Sequence, residues 1–245
     1  MIKKAFKYTA ISLLWLGIWQ LVAIIISSEL LFPAPLAVAK RLLEMMLTSD
    51  YYVTVGLSLL RILVGMIIGT LIGVAGGLIT AFSRLARDFF APLLAVVKST
   101  PVASFIILMV LWISRDITPL IIALMMVTPV VWTNIEAGIL NTDDSLIEMA
   151  RVYKMPASAR IKHIYAPSVA PYFLASLKAS LGMAWKAGIA AEVLCTPKGS
   201  LGKMVYDAKV YLESAEVFAW TLVVILLSLA LETLLKYVLN RGKRK

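Results

Sequence analysis

The segment Glu148–Pro167, EMARVYKMPASARIKHIYAP, is a charged stretch set inside an otherwise very apolar chain. Long apolar runs stand on both sides of it. It therefore reads as a loop joining two membrane spans rather than as part of a soluble surface. The rest of the composition agrees. The 245 residues are 61% hydrophobic and only 16% charged, with a mean hydropathy of +0.90. A water-soluble domain carries about a quarter of its residues charged. This chain falls well short, so much of its exterior faces lipid.

Spanning about 30 Å of hydrocarbon takes about 20 helical residues. On that rule the sequence predicts an all-α, polytopic membrane protein with six transmembrane helices, near 9–26, 57–82, 89–113, 117–140, 172–194 and 217–239. The chain reads as one transmembrane domain, 1–245, with no separate soluble domain. The third span is interrupted by Lys98-Ser99-Thr100-Pro101. Pro101 removes a backbone hydrogen bond, and such a break is tolerated at depth only where it is buried in protein or lines a wet cavity. The first run follows Lys3, Lys4 and Lys7 but is long, contains Trp15, Trp19 and Gln20, and lacks a clear small-x-small cleavage site. It reads as a retained span rather than a signal peptide.

Six spans put both termini on one side, and Lys and Arg choose which. The N-terminus, the 83–88 turn, the 141–171 loop and the tail from Lys236 carry 14 of them; the opposite loops hold six, Lys40, Arg41, Arg115, Lys198, Lys203 and Lys209. The excess places both ends and the 141–171 loop in the cytoplasm of a multi-pass protein of the cell membrane. The net charge of +10 is thereby explained without nucleic acid, because the basic residues form no patch interleaved with aromatics.

Between the first two spans, Phe32-Pro33-Ala34-Pro35 ends one helix and starts another, and Leu36, Leu43 and Leu47 then share a stripe of a short helix lying in the outer interface. The 195–216 loop mixes glycines and charges with apolar residues and is expected to pack back on the bundle.

Four glycines of the second span, Gly65, Gly69, Gly73 and Gly77, form successive G-x-x-x-G steps on one helical face. Small residues at that spacing let two helix backbones approach closely in lipid. Static packing accounts for them, and sliding of helices during transport is the other reading. Lys98 and Lys186 are expected roughly 14 Å and roughly 21 Å from the cytoplasmic ends of their spans. An unpaired cation there costs at least ~2.5 kcal/mol, so each should face the bundle interior or water. Either they line the solute path and favour anions, or they donate to carbonyls freed by breaks such as that at Pro101. Arg61, near an outer end, is expected to snorkel; Asn134 and Glu136 are expected to cap an inner one.

No catalytic set appears. One cysteine and one histidine leave no disulfide and no His/Cys zinc cluster. The stretch Pro197–Met204, PKGSLGKM, departs from the nucleotide-loop pattern at both ends and lies on the outer side. A proton- or sodium-coupled secondary carrier is the alternative transporter, but it needs carboxylates at mid-depth.

Within 141–171 the ordered set Glu148, Ala150, Ile164 and Pro167 resembles the coupling loop E-A-A-x3-G-x9-I-x-L-P of permease subunits of ATP-binding-cassette importers. The Phe32–Pro35 turn, the run SLGMAW at 180–185 with Ala191-Glu192 behind it, and Gly199-Ser200-Leu201-Gly202 look like the nitrate/sulfonate/taurine branch of that family. The resemblance implies a type I importer permease that binds no cofactor and hydrolyses nothing itself. Its implied partners are a second permease subunit, identical or paralogous, two cytoplasmic ATPase subunits that bind the ATP, and an extracytoplasmic binding protein. It further implies that Glu148 and Arg151 make polar contacts to the ATPase, that Ala150 permits close approach, and that Ile164 and Pro167 pack the return helix. The solute it implies is small and nitrate-, sulfonate- or taurine-like. Three residues depart from the pattern: Met149, Lys154 in place of Gly, and Ala166. Because Lys tolerates left-handed backbone angles poorly, the turn is expected at Met155-Pro156 instead.

Overall fold

The computed structural model describes the backbone over residues 2–242 and the side chains over residues 9–239. The terminal basic residues used above for orientation, Lys3, Lys4, Lys7 and 241–245, lie outside the described side chains. All regular structure among the described residues is helical, with no strand. Four helices are long and apolar enough to cross a membrane: α1 (Ile2–Ile26), α3 (Ser49–Phe82), α6 (Thr118–Leu140) and α11 (Ser214–Gly242). The predicted third span is a pair, α4 (Arg84–Ser99) and α5 (Val102–Trp112), bent by 103° at the expected break. The predicted fifth lies within α9 (Ala166–Cys195), long enough to cross but less apolar because of its serines, Lys178 and Lys186. Short helices α2 (Pro35–Met46), α7 (Asp144–Val152), α8 (Ala157–Arg160) and α10 (Leu201–Val210) fill the connections.

The chain divides into two compact units. One comprises residues 1–58 and 196–227. Here Ala34, in an extended conformation, caps α2, and Pro35 occupies its first turn, where a missing N–H is harmless. Trp19 donates its indole N–H to the Pro33 carbonyl at 3.1 Å and packs with Phe32 and Phe218 in an aromatic cluster. Leu36, Leu43 and Leu47 of the α2 stripe are exposed, as a helix in the interface requires. The 195–216 segment does pack back: Leu201, fully buried, donates its N–H to Ser58 Oγ at 2.9 Å at the start of α10.

The other unit comprises residues 59–195 and 228–245 and is organised on α6, which has twelve buried residues. The glycine steps of α3 lie against its backbone. A Cβ on Gly69, Gly73 or Gly77 would stand 2.7, 2.8 or 2.6 Å from the carbonyl oxygens of Leu124, Thr128 and Trp132. Equal four-residue steps on both helices mean that α3 and α6 run in the same direction. The glycine steps thus sit at a close helix contact, and Gly65 belongs to it, facing the Leu120 carbonyl. Gly76 was not anticipated: it makes room for the Trp132 ring. On its other side α6 makes its most extensive contact with α9, where Ile122 and Met126 meet Ala187, Ala191 and Cys195.

Polar groups in this interior are satisfied locally, as hydrocarbon surroundings demand. Ser176 and Ser180 donate to the carbonyls of Phe173 and Leu177, and Thr128 to that of Leu124. The break between α4 and α5 follows from Pro101. The preceding Thr100 is extended (φ −76°, ψ 129°), as a residue before proline prefers, while its N–H still reaches the Val96 carbonyl.

Candidate functional site: the 141–171 loop and the charges within the spans

Asp143 opens α7 by accepting the Ser145 N–H at 2.9 Å, and hydrogen bonds from the Ser145 hydroxyl and N–H hold its carboxyl below the ordinary aspartate range. The helix closes at Tyr153. Lys154 donates its N–H to the Arg151 carbonyl (3.1 Å), and Met155 to the Ala150 carbonyl (2.9 Å). These are the two bonds of a Schellman motif, which needs a left-handed residue between them. Lys154 supplies it, with φ +51°. The expected turn at Met155-Pro156 is therefore corrected. Lys154 itself takes the conformation that suits glycine, and Pro156 instead caps α8. After α8 the backbone widens into a π-helical turn, Ile161–Tyr165, before entering α9.

Glu148 and Arg151 are exposed on α7, and Leu146, Met149, Val152 and Tyr153 are exposed beside them, the last two at 77% and 76%. These apolar residues were missed in the sequence, although their i, i+3, i+6/7 spacing was visible there. Ala150 differs from expectation. At 1% exposure it faces its own chain, so its small size serves internal packing rather than a partner's approach. Ile164 is buried at 4%, while Pro167 is exposed at the second residue of α9, directly after the π-helical turn, across which Ala166 still donates its N–H to the Ile161 carbonyl. On the inner side of this segment, the Tyr165 ring stands edge-on to Phe82, centroids 5.7 Å apart.

Three groups of charges lie within the spans. Lys98 is exposed in the last turn of α4, beside the break. Lys186 is exposed on α9, on a stripe that also carries Ala175, Ala179, Gly182, Met183 and Ala190; Lys178 sits at its edge. Among the described residues neither Lys98 nor Lys186 makes an ion pair.

Arg61 does not snorkel as expected. It lies 3.9 Å from the carboxylate of Glu192, which is fully buried, and 4.0 Å from Asp116. Nor does Glu136 simply solvate a helix end. Arg87 approaches it at 2.7 Å, and Thr80 donates to it at 2.9 Å while accepting the Trp132 indole N–H at 3.0 Å. Asn134 donates back to the Val130 carbonyl. No cluster of three or more metal-ligating side chains occurs among the described residues.

The sequence profile described as "Binding-protein-dependent transport system inner membrane component" matches residues 65–244. Among curated relatives, a permease protein of Bacillus subtilis (strain 168) named for aliphatic sulfonates transport, SsuC, is 28% identical over 207 residues, 83% of this chain and 74% of that one. The taurine transport system permease protein TauC of Escherichia coli (strain K12) is 26% identical, covering 91% of this chain and 83% of the relative. The nitrate import permease protein NrtB of Synechococcus elongatus is 26% identical, at 84% and 77% coverage. Among solved structures, an inward-facing MetNI methionine ABC transporter superposes with a TM-score of 0.57 over 79% of this chain and 92% of that one; at 16% identity this is a likeness of fold. The chain belongs to the family of binding-protein-dependent transport system inner membrane components, and its curated relatives include permeases named for sulfonates, nitrate and taurine.

Proposed function

We propose that this multi-pass permease forms half of a path through which a small anionic solute enters the cell, driven by ATP hydrolysed on two cytoplasmic partner subunits. The observation that carries the reading is the surface of α7. Four exposed apolar side chains, Leu146, Met149, Val152 and Tyr153, flank exposed Glu148 and Arg151 on a short helix capped at both ends. A capped helix with an apolar knob and two charges is built to seat in a groove. The excess of basic residues in the same segment supports a cytoplasmic position for it and for both termini. A second permease subunit completes the path, and an extracytoplasmic binding protein delivers the solute.

Lys98 and Lys186 are the proposed path-lining cations. Each is exposed on its own chain, and a cation within a membrane span is expected to face water or the bundle interior rather than lipid. The branch's relatives named for sulfonates, taurine and nitrate support an anion. An ion-coupled carrier would need a carboxylate free to exchange a coupling ion. The deeply buried Glu192 is instead held by Arg61.

The test is Glu148→Ala in the reconstituted transporter. Membrane insertion should be unchanged, while uptake and the stimulation of ATP hydrolysis by loaded binding protein fall together. Full stimulation in that variant, or uptake that follows an ion gradient without ATP, overturns the reading. Lys186→Met should reduce uptake with ATPase assembly intact.

A further inference from the structure

We propose that the edge-on contact between Tyr165 and Phe82 transmits movement of the 141–171 loop to the elbow joining α3 to α4, so that α4, with Lys98 at its far end, is the part of the bundle that the ATPase moves. This rests on the reading of 141–171 as the ATPase-facing loop.

Four observations place these residues in the transmission. First, Tyr165 ends the π-helical turn Ile161–Tyr165, which directly follows α8. Such turns are rare, hold their backbone less regularly than an α-helix and concentrate at functional positions. Second, the ring of Tyr165 meets that of Phe82 at 5.7 Å and 83°, and Phe82 is the last residue of α3. Third, the elbow is one residue long. Ser83 is extended (φ −131°, ψ 111°) and accepts the Ala86 N–H at 3.2 Å, so α4 starts at once and inherits any displacement of Phe82. Fourth, α4 has no buried residue, whereas α6 is packed on both sides.

What holds α4 near the elbow is local, polar at Arg87 and aromatic at Phe90. Arg87 reaches Glu136 at 2.7 Å and donates to the Thr80 carbonyl at 3.1 Å, and Phe90 packs on Trp132. At its other end α4 stops at Thr100-Pro101, where the 103° bend separates it from α5. The helix is thus a lever anchored within its first two turns, with no buried residue between there and the break. Lys98 lies about 24 Å along the helix from Phe82, so a small tilt at the elbow becomes a larger shift there.

The experiment uses the whole transporter, permease with its ATPase and binding protein, in proteoliposomes. Phe82→Ala and Tyr165→Ala should each keep the ATPase subunit bound and hydrolysis within twofold of wild type, yet lower solute taken up per ATP at least tenfold. The double variant should be no worse than either single one, and Tyr165→Phe, which keeps the ring, should transport normally. Unchanged uptake per ATP, effects that multiply in the double variant, or a Tyr165→Phe as damaged as Tyr165→Ala would each overturn the proposal. Should the alanine variants fail to fold, Phe82→Leu with a Val96→Cys reporter on α4 replaces them. The ATP-dependent change in Val96→Cys labelling expected with native Phe82 should vanish; its persistence overturns the proposal. Loss of ATPase binding in the wild-type chain would instead strike at the assignment of the loop itself.

Discussion

Met155 donates its N–H to the carbonyl of Ala150 at 2.9 Å, and this bond forces Lys154 between them into the left-handed region at φ +51°. An L-residue with a Cβ is disfavoured there by roughly 1–2 kcal/mol, and glycine avoids that cost while giving back part of it in unfolded-chain entropy. Lys154→Gly should therefore stabilise the end of α7 by about 0.5–1 kcal/mol. Hydrogen exchange of the Lys154 and Met155 amides should slow by a factor of about two to five. Lys154→Ile, β-branched and worse suited to positive φ, should speed it. Equal exchange in all three chains would mean that the strain is absorbed elsewhere.

Arg61 and Glu192 form an ion pair whose acid is fully buried and whose base is 17% exposed in its side chain. Taking Glu192 away breaks a largely buried pair and leaves Arg61 beside the more exposed Asp116, and breaking such a pair costs up to about 3–5 kcal/mol. Glu192→Ala should thus abolish stable expression or lower the thermal transition of the detergent-purified chain sharply. The double variant Arg61→Met/Glu192→Leu should recover most of that loss, because apolar pairs of similar volume often replace buried ion pairs without penalty. A double variant as unstable as Glu192→Ala would show that Arg61 has a further structural partner that matters more.

The two pairs differ in how far the sequence disclosed them. The break at Thr100-Pro101 was legible because proline acts locally, on its own N–H and on the residue before it. The glycine steps were legible as a close-packing face, yet their partner α6 was not, since periodicity names a face and not what covers it. Arg61 and Glu192 are 131 residues apart in the chain. Each alone reads as a charge near a span's outer end, and only the fold brings them within 4 Å. Lys154 misled in the opposite way. Its side chain argues against a left-handed turn, but two backbone hydrogen bonds at the end of α7 outweigh that preference.

The α3 glycines divide into those that a methyl group would drive into α6 and those with room. A Cβ on Gly73 would stand 2.8 Å from both the Thr128 carbonyl oxygen and the Val131 Cβ, and backbone atoms there can yield only if the helices separate. Gly56, on the same helix, has nothing within 4 Å. Gly73→Ala should destabilise the purified chain by about 1–3 kcal/mol, the usual range for overpacking, and Gly56→Ala should be neutral or slightly stabilising through helix propensity. The comparison is made by thermal unfolding in one detergent. Equal midpoints for the two would remove close α3–α6 contact from the account of the fold.

Asp143 gives the α7 cap a pH dependence whose sign is fixed by its hydrogen bonds. The Ser145 hydroxyl, and after it the Ser145 N–H, hold the Asp143 carboxyl below its ordinary value, so the folded form binds a proton less readily than the unfolded one. The stabilisation is complete above the unfolded value, about pH 4, and is lost as the pH falls from there through the lower folded value. Protection of the first-turn amides of α7 should therefore be flat from pH 7 to about pH 5 after correction for intrinsic exchange, and should decline below about pH 4. Asp143→Asn retains an N-cap acceptor but does not titrate, so its corrected protection should stay level across the same range. A decline in Asp143→Asn that parallels the native chain would trace the acid sensitivity to another carboxylate of the segment, with Asp144 and Glu148 the next to substitute.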